Sequence, residues 1–161
     1  MNLAVKILSV QNPKAVLAIL WGGLACGVLD ITAAFVVYGF FGLSPIRLLQ
    51  GIAAGLLGPR AVEGGLATAL LGLLCHFLIA FSAAAVYVAV SRSVGFLVQH
   101  AVLSGILYGA AVYFFMNLIV VPLSAARKYP FSMKMMIIGV VIHMLCVGLP
   151  ISITVRRYSN N

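Results

Sequence analysis

The sequence predicts an all-α membrane protein, a bundle of four transmembrane helices that forms a single domain over residues 1–161. The chain is 64% hydrophobic and only 7% charged, whereas soluble domains average about 45–50% apolar and about 25% charged residues. Four apolar runs are long enough to cross a hydrocarbon core, which takes about 20 helical residues. The runs show no alternation of apolar and polar residues, so helices are predicted rather than the strands of a barrel.

Helix breakers and charged residues set the bounds of each span. The predicted spans cover residues 15–43, 65–90, 101–123 and 135–155. The segments between them are, in chain order, Ser44-Pro45, the stretch from Gly58 to Gly65, Ser91-Arg92-Ser93, and Ala125 to Pro130. Pro122 and Pro150 lie near span ends, where we expect proline to cap or kink a helix rather than break it.

Two shorter elements are predicted outside the spans. Residues 46–58 are mostly apolar but too few to cross the bilayer, and they include Arg47, Gln50 and the pair Gly51 and Gly55. This pattern favours an interfacial or half-inserted, re-entrant helix over an ordered turn. A similar short surface helix is predicted for Met1 to Gln11.

The formal net charge of +8 comes from Lys and Arg residues at the ends of apolar runs. This placement indicates anchoring in the lipid bilayer and attraction to anionic lipid headgroups. A nucleic-acid partner is not predicted, because no basic stripe with interleaved aromatic residues is present. Five basic residues fall on each side of the predicted membrane, so orientation is left open; Lys6 and Lys14 before the first span favour cytoplasmic termini. The equal number of basic residues on the two sides also permits an antiparallel dimer, a homo-oligomer whose two copies have opposite orientations in the membrane.

Glycines are spaced to let helices pack closely, and their spacing indicates an internal repeat. Pairs four residues apart occur in the first and third spans, and a glycine four residues before a histidine occurs in the second and fourth. The residues are Gly23 and Gly27, Gly105 and Gly109, Gly72 and His76, and Gly139 and His143. Such small-residue pairs predict close helix contacts. The pattern is compatible with two parallel two-helix repeats, which would bring His76 and His143 near each other.

Asp30 is one of only two acidic residues and lies inside the first span. A carboxylate near the bilayer centre costs at least ~2.5–3.5 kcal/mol on insertion scales, so it normally has a partner or a function. Asp30 shares a helical stripe with Gly23 and Gly27, which predicts that it faces the bundle interior. The candidate polar or ion-relay site combines it with groups at similar depth: Asp30, His76, Asn117 and His143.

Three interpretations of this site remain open at the level of sequence. The polar groups can join helices structurally, relay a proton linked to transport, or hold a cofactor. In the last case His76 and His143 would be axial ligands of a b-type haem, or metal ligands together with Asp30. The chain carries no familiar catalytic motif, so no catalytic residue is predicted.

The function predicted is a non-enzymatic integral membrane protein without a cofactor, a small transporter or a proton- or ion-linked channel-like protein. The alternative is a structural, haem-binding or metal-binding subunit of a larger membrane complex.

The second half of the chain has a recognisable series of residues. It contains the segment from His76 to Tyr87, Gly105-Ile-Leu-Tyr-Gly109, Asn117, Pro122-Leu123, a last helix with a histidine, and Arg156-Arg157. In these residues the chain resembles the YagU-type family of small bacterial inner-membrane proteins. The family pattern has a histidine at the position of Asn117. The resemblance implies a four-helix protein of the bacterial inner membrane and supplies no substrate.

Overall fold

The structure is a computed structural model that describes residues 13–127 and 131–159. The short helix predicted for Met1 to Gln11 lies outside the described residues. Within the described part of the chain the regular structure is entirely helical. The spanning helices are α1 (Pro13–Phe40), α3 (Gly65–Ser91), α5 (Ala101–Leu123) and α6 (Met133–Ser159), and the short ones are α2 (Pro45–Leu57) and α4 (Phe96–Gln99).

The four long helices confirm the predicted fold class, because each is long and apolar enough to cross a membrane. The first ends at Phe40, three residues before the predicted limit, where the chain turns through Gly42. Gly42 has a φ of 79°, a backbone conformation that residues with a side chain rarely adopt. The last helix continues past the predicted end at residue 155 to Ser159.

Two π-helical segments interrupt the last two spans, Met116–Val120 in α5 and His143–Gly148 in α6. Each segment ends two residues before a proline, Pro122 or Pro150. A proline inside a helix removes one N–H donor and clashes with the carbonyl four residues earlier, and a wider turn relieves that clash. Pro150 therefore lies well inside α6 instead of near its end.

Small residues bring the spanning helices close together. On α1, a side chain at Gly23 or Gly27 would collide with the rings of Phe81 and Phe77 on α3. On α5, Gly109 lies directly against the backbone of His143 on α6. Helix α1 packs against both α3 and α6, and α5 packs mainly against α6, so a bundle forms around these contacts.

Helix α2 lies along the first turns of α3. Ser44 caps it by accepting a hydrogen bond from the backbone N–H of Arg47 at 3.4 Å. The side chain of Gln50 is buried and donates through Nε2 to the carbonyl oxygen of Gly65 at 2.9 Å. Closer to the middle of α3, Gly72 leaves room for the Leu49 carbonyl. These contacts join α2 to the bundle as a helix too short to span it.

Candidate functional site

The carboxylate of Asp30 on α1 meets a histidine of the fourth span. Its Oδ1 atom lies 3.9 Å from Nδ1 of His143, and the two side chains are only 19% and 22% exposed. Asp30 lies ten residues before Phe40 and His143 ten residues after Met133, so each is about 15 Å along its helix from that end. The contact therefore joins two groups at the same depth, far from either end of the bundle.

The hydrogen bonds of His143 define which ring nitrogen holds its proton. Nδ1 lies 2.9 Å from the carbonyl oxygen of Gly139, and a carbonyl oxygen only accepts, so Nδ1 carries the hydrogen. The other nitrogen, Nε2, can take a second proton, and the ring then becomes a cation beside Asp30. The Tyr113 ring covers His143 edge-to-face, with 5.3 Å between ring centroids, and fixes its plane.

A second histidine reaches the same turn of α1. Nε2 of His76 on α3 donates to the carbonyl oxygen of Gly27 at 2.8 Å. Gly27 precedes Asp30 by three residues, about 4.5 Å along the helix. Both histidines thus contact α1 within one turn, His143 at the side chain of Asp30 and His76 at the backbone of Gly27.

Asn117 does not join them. Its side chain is exposed, and Nδ2 donates to the Tyr113 carbonyl oxygen of its own helix at 2.9 Å. The prediction of one buried four-residue cluster is therefore not met: the structure has a partly buried Asp30–His143 pair, with His76 one turn away. Residues four apart on an α-helix drift by about 40° per step, and the π-helical segment that begins at Met116 changes the phase of the stripe again. The stripe that packs inward at Gly105, Gly109 and Tyr113 has turned outward at Asn117.

Comparisons of this chain with protein-family models, with curated proteins and with solved structures found no match. The resemblance to the YagU-type family therefore stays a prediction.

Six glycines predicted to pack helices all lie at close contacts. Besides Gly23, Gly27, Gly72 and Gly109, Gly139 lies under the Tyr113 ring and Gly105 lies against Ser152 and Gly148. The predicted repeat has a counterpart here: Gly27 meets His76 in the first half, and Gly109 meets His143 in the second.

Two thiols lie near the acidic residue. Cys26 on α1 and Cys146 on α6 lie close enough to Asp30 to interact with its charge. Among the described residues, no group of three or more His, Cys, Asp and Glu side chains is arranged to hold a metal ion. The haem and metal interpretations accordingly stay predictions.

A second polar network, not predicted from the sequence, lies nearer the Ser91 end of α3. The Tyr87 hydroxyl lies 2.8 Å from Oγ of Ser104 on α5 and donates to the carbonyl oxygen of Leu97 at 3.0 Å. Ser152 on α6, which is fully buried, also contacts Tyr87. These hydroxyls connect three spanning helices. A serine is an ordinary residue in an apolar helix, so no sequence signal set these two apart.

Proposed function

We propose that this protein is a small membrane transporter or channel-like protein in which the Asp30–His143 pair binds and releases the coupled proton. The observation that carries the proposal is the 3.9 Å approach of the two side chains inside helices apolar enough to span a membrane. Ionisable groups inside membrane spans mark ion and substrate pathways and proton relays. The resemblance to the YagU-type family supports a location in the bacterial inner membrane.

The pair offers three states that differ in charge. With His143 protonated and Asp30 ionised, the pair is neutral overall and its members attract each other. Adding a proton to Asp30 leaves a lone imidazolium, and removing one from His143 leaves a lone carboxylate, both costly away from water. Titratable groups near the pair include Cys26 and Cys146, which interact with the charge of Asp30, and Tyr113, whose ring contacts His143.

The glycine contact and the π-helical segment link the pair to the packing of the helices. His143 is the first residue of the π-helical segment of α6, and such segments are frequent at functional sites. Because Gly109 lies against the His143 backbone, a shift in this contact would change the distance between His143 and Asp30. A proton bound at the pair would in this way alter helix packing.

The test uses the full chain in liposomes that contain a pH-sensitive dye. A potassium gradient with valinomycin drives protons inward, so no solute needs to be known. We expect the wild type to acidify the interior faster than empty liposomes, and Asp30→Asn to return the rate to that of empty liposomes. The matched control is Glu63→Gln, which removes the other acidic residue, exposed at the end of the 3-10 turn Gly58–Glu63.

Circular dichroism of each variant checks that it is folded. A folded Asp30→Asn variant that conducts protons as fast as Glu63→Gln would contradict the proposal, as would a wild type no faster than empty liposomes.

A second candidate function, a subunit of a larger membrane assembly, is favoured by the outward face of α5. Only 6% of its apolar window is buried, against 22–33% in the other three spans, and that face carries Asn117. An amide exposed to lipid gains from hydrogen bonding to another helix. Native mass spectrometry of the wild type and Asn117→Leu tests it: an assembly that Asn117→Leu dissociates supports this function, and a wild-type monomer contradicts it.

A further inference from the structure

An open cavity of about 320 Å³ lies at one end of the bundle, where α1 begins and α3 and α6 end. This end of the three spans is where the lipid headgroups of a bilayer would lie. The cavity is separate from the Asp30 site, because Lys14 at its rim and Asp30 are sixteen residues apart, about 24 Å along α1.

The cavity has a polar rim and an apolar floor. Its rim contains Lys14, Arg92, Ser91, Tyr158 and Ser159. Buried Ala18, Val88 and Val155, one from each helix, form its floor. A ligand that fits both parts has a charged or polar head and a short apolar portion.

The charges around the rim of the cavity favour an anionic ligand. Lys14 and Arg92 are both cationic, and none of the described residues lining the cavity is acidic. Arg156 and Arg157 lie in the last turn of α6 and add positive charge at the same end. The C-terminal ends of α3 and α6 offset part of this charge, since helix carbonyls carry partial negative charge. Arg92, Arg156 and Arg157 outweigh that partial charge.

We propose that this cavity binds a phosphate ester, the headgroup of an anionic phospholipid, with Arg92 on the phosphate and the glycerol carbons over Ala18, Val88 and Val155. Arg and Lys are the side chains that bind phosphate. A volume of about 320 Å³ is at the lower end of ligand pockets, so it suits a headgroup rather than a whole lipid. A zwitterionic headgroup brings its own cation against Arg92 and is disfavoured.

The test measures lipid binding to the full chain by native mass spectrometry, with phosphatidylglycerol and phosphatidylcholine as probes. We expect phosphatidylglycerol to bind more tightly, and Arg92→Gln to weaken that binding on the order of five-fold, the effect of one basic residue near a membrane surface. Arg60→Gln, an equally exposed arginine in the turn between α2 and α3, should bind as the wild type does. Ser91→Leu, which fills the cavity without changing charge, should also weaken binding.

Two outcomes would overturn the proposal. Equal losses for Arg92→Gln and Arg60→Gln would mean general attraction between a basic protein and an anionic lipid. Equal binding of the two lipids by the wild type would remove the anion preference itself. Glycerol 3-phosphate, added as a competitor, distinguishes a lipid headgroup from a soluble phosphate ester as the ligand. If it competes with the lipid and loses affinity in Arg92→Gln, the site also binds soluble phosphate esters. If it does not compete, the lipid is the ligand; both results support a phosphate-ester site.

Discussion

The Nε2 atom of His76 on α3 lies 2.8 Å from the carbonyl oxygen of Gly27 on α1, one turn before Asp30. Gly27 permits this approach because it has no side chain, and the Phe77 ring occupies the space that one would fill. The hydrogen bond and the ring contact come from consecutive residues of α3. Together they hold the turn of α1 that carries the carboxylate.

The His76 bond should contribute measurably to stability. Replacing His76 by Leu removes the donor to the Gly27 carbonyl, and we expect a loss of about 0.6–2 kcal/mol in the free energy of unfolding, the range for hydrogen bonds between membrane helices. His76→Gln keeps a donor and should recover part of the loss. Unfolding of each variant in mixed micelles by denaturing detergent measures both values, and equal stability of His76→Leu and the wild type would refute the contribution.

Gly109 should be intolerant of even one added carbon. A methyl group there would overlap the His143 carbonyl and the Met144 backbone, so we expect Gly109→Ala to destabilise by about 1–3 kcal/mol, the usual cost of overpacking. The control is Gly39→Ala on α1, where an added carbon meets nothing within 4 Å. That variant should match the wild type or exceed it slightly. The same unfolding assay compares them, and similar losses in both would contradict the packing described here.

Asp30 and His143 should be energetically coupled. In a double-mutant cycle of Asp30→Asn and His143→Gln, we expect a coupling free energy of about 0.5–3 kcal/mol, as residues in contact show. The coupling arises because the two side chains approach to 3.9 Å in a partly buried position. Unfolding of the wild type, the two single variants and the double variant in mixed micelles measures it, and a coupling energy of zero would show that the pair is not an interacting unit.

The hydroxyl network of Tyr87 should stabilise the bundle near the Ser91 end of α3. Ser104→Ala and Tyr87→Phe each remove a hydroxyl that is buried, and we expect each to cost about 1 kcal/mol. The double variant should cost less than the sum of the two, because both remove the same bond. Ser82→Ala is the control, since that exposed serine bonds only to Leu78 of its own helix. Strict additivity of the two losses would indicate that the hydroxyls act separately.

Most of the fold could be predicted because the bilayer imposes length and polarity on each span. The face of the helix on which Asp30 lies could be predicted, because steps of four and three residues along Gly23, Gly27 and Asp30 return to one helix face. Its partner could be narrowed to His76 or His143. Choosing between them needs the packing of α1 between α3 and α6, which apolar sequences do not specify.

The exposure of Asn117 and the presence of two π-helical segments could not be predicted in this way. A stripe of residues spaced four apart winds around the helix axis over several turns. Whether it still faces α6 at Asn117 depends on the length of the contact between α5 and α6, which the sequence does not give. Pro122 and Pro150 were predicted to cap or kink their helices near span ends rather than break them. The structure keeps both prolines inside helices, and each follows a wider π-helical segment that the sequence did not indicate.

The protonation state of Asp30 in a bilayer tests the central claim most directly. Solid-state NMR of the full chain, labelled at aspartate carboxyl carbons and histidine ring nitrogens, follows Asp30 and His143 across a pH series, with Asp30→Asn to assign the carboxyl signal. We predict that the Asp30 carboxyl and the His143 ring change protonation over the pH range in which proton flux changes. An Asp30 carboxyl signal that stays in one protonation state while flux rises and falls would contradict the account.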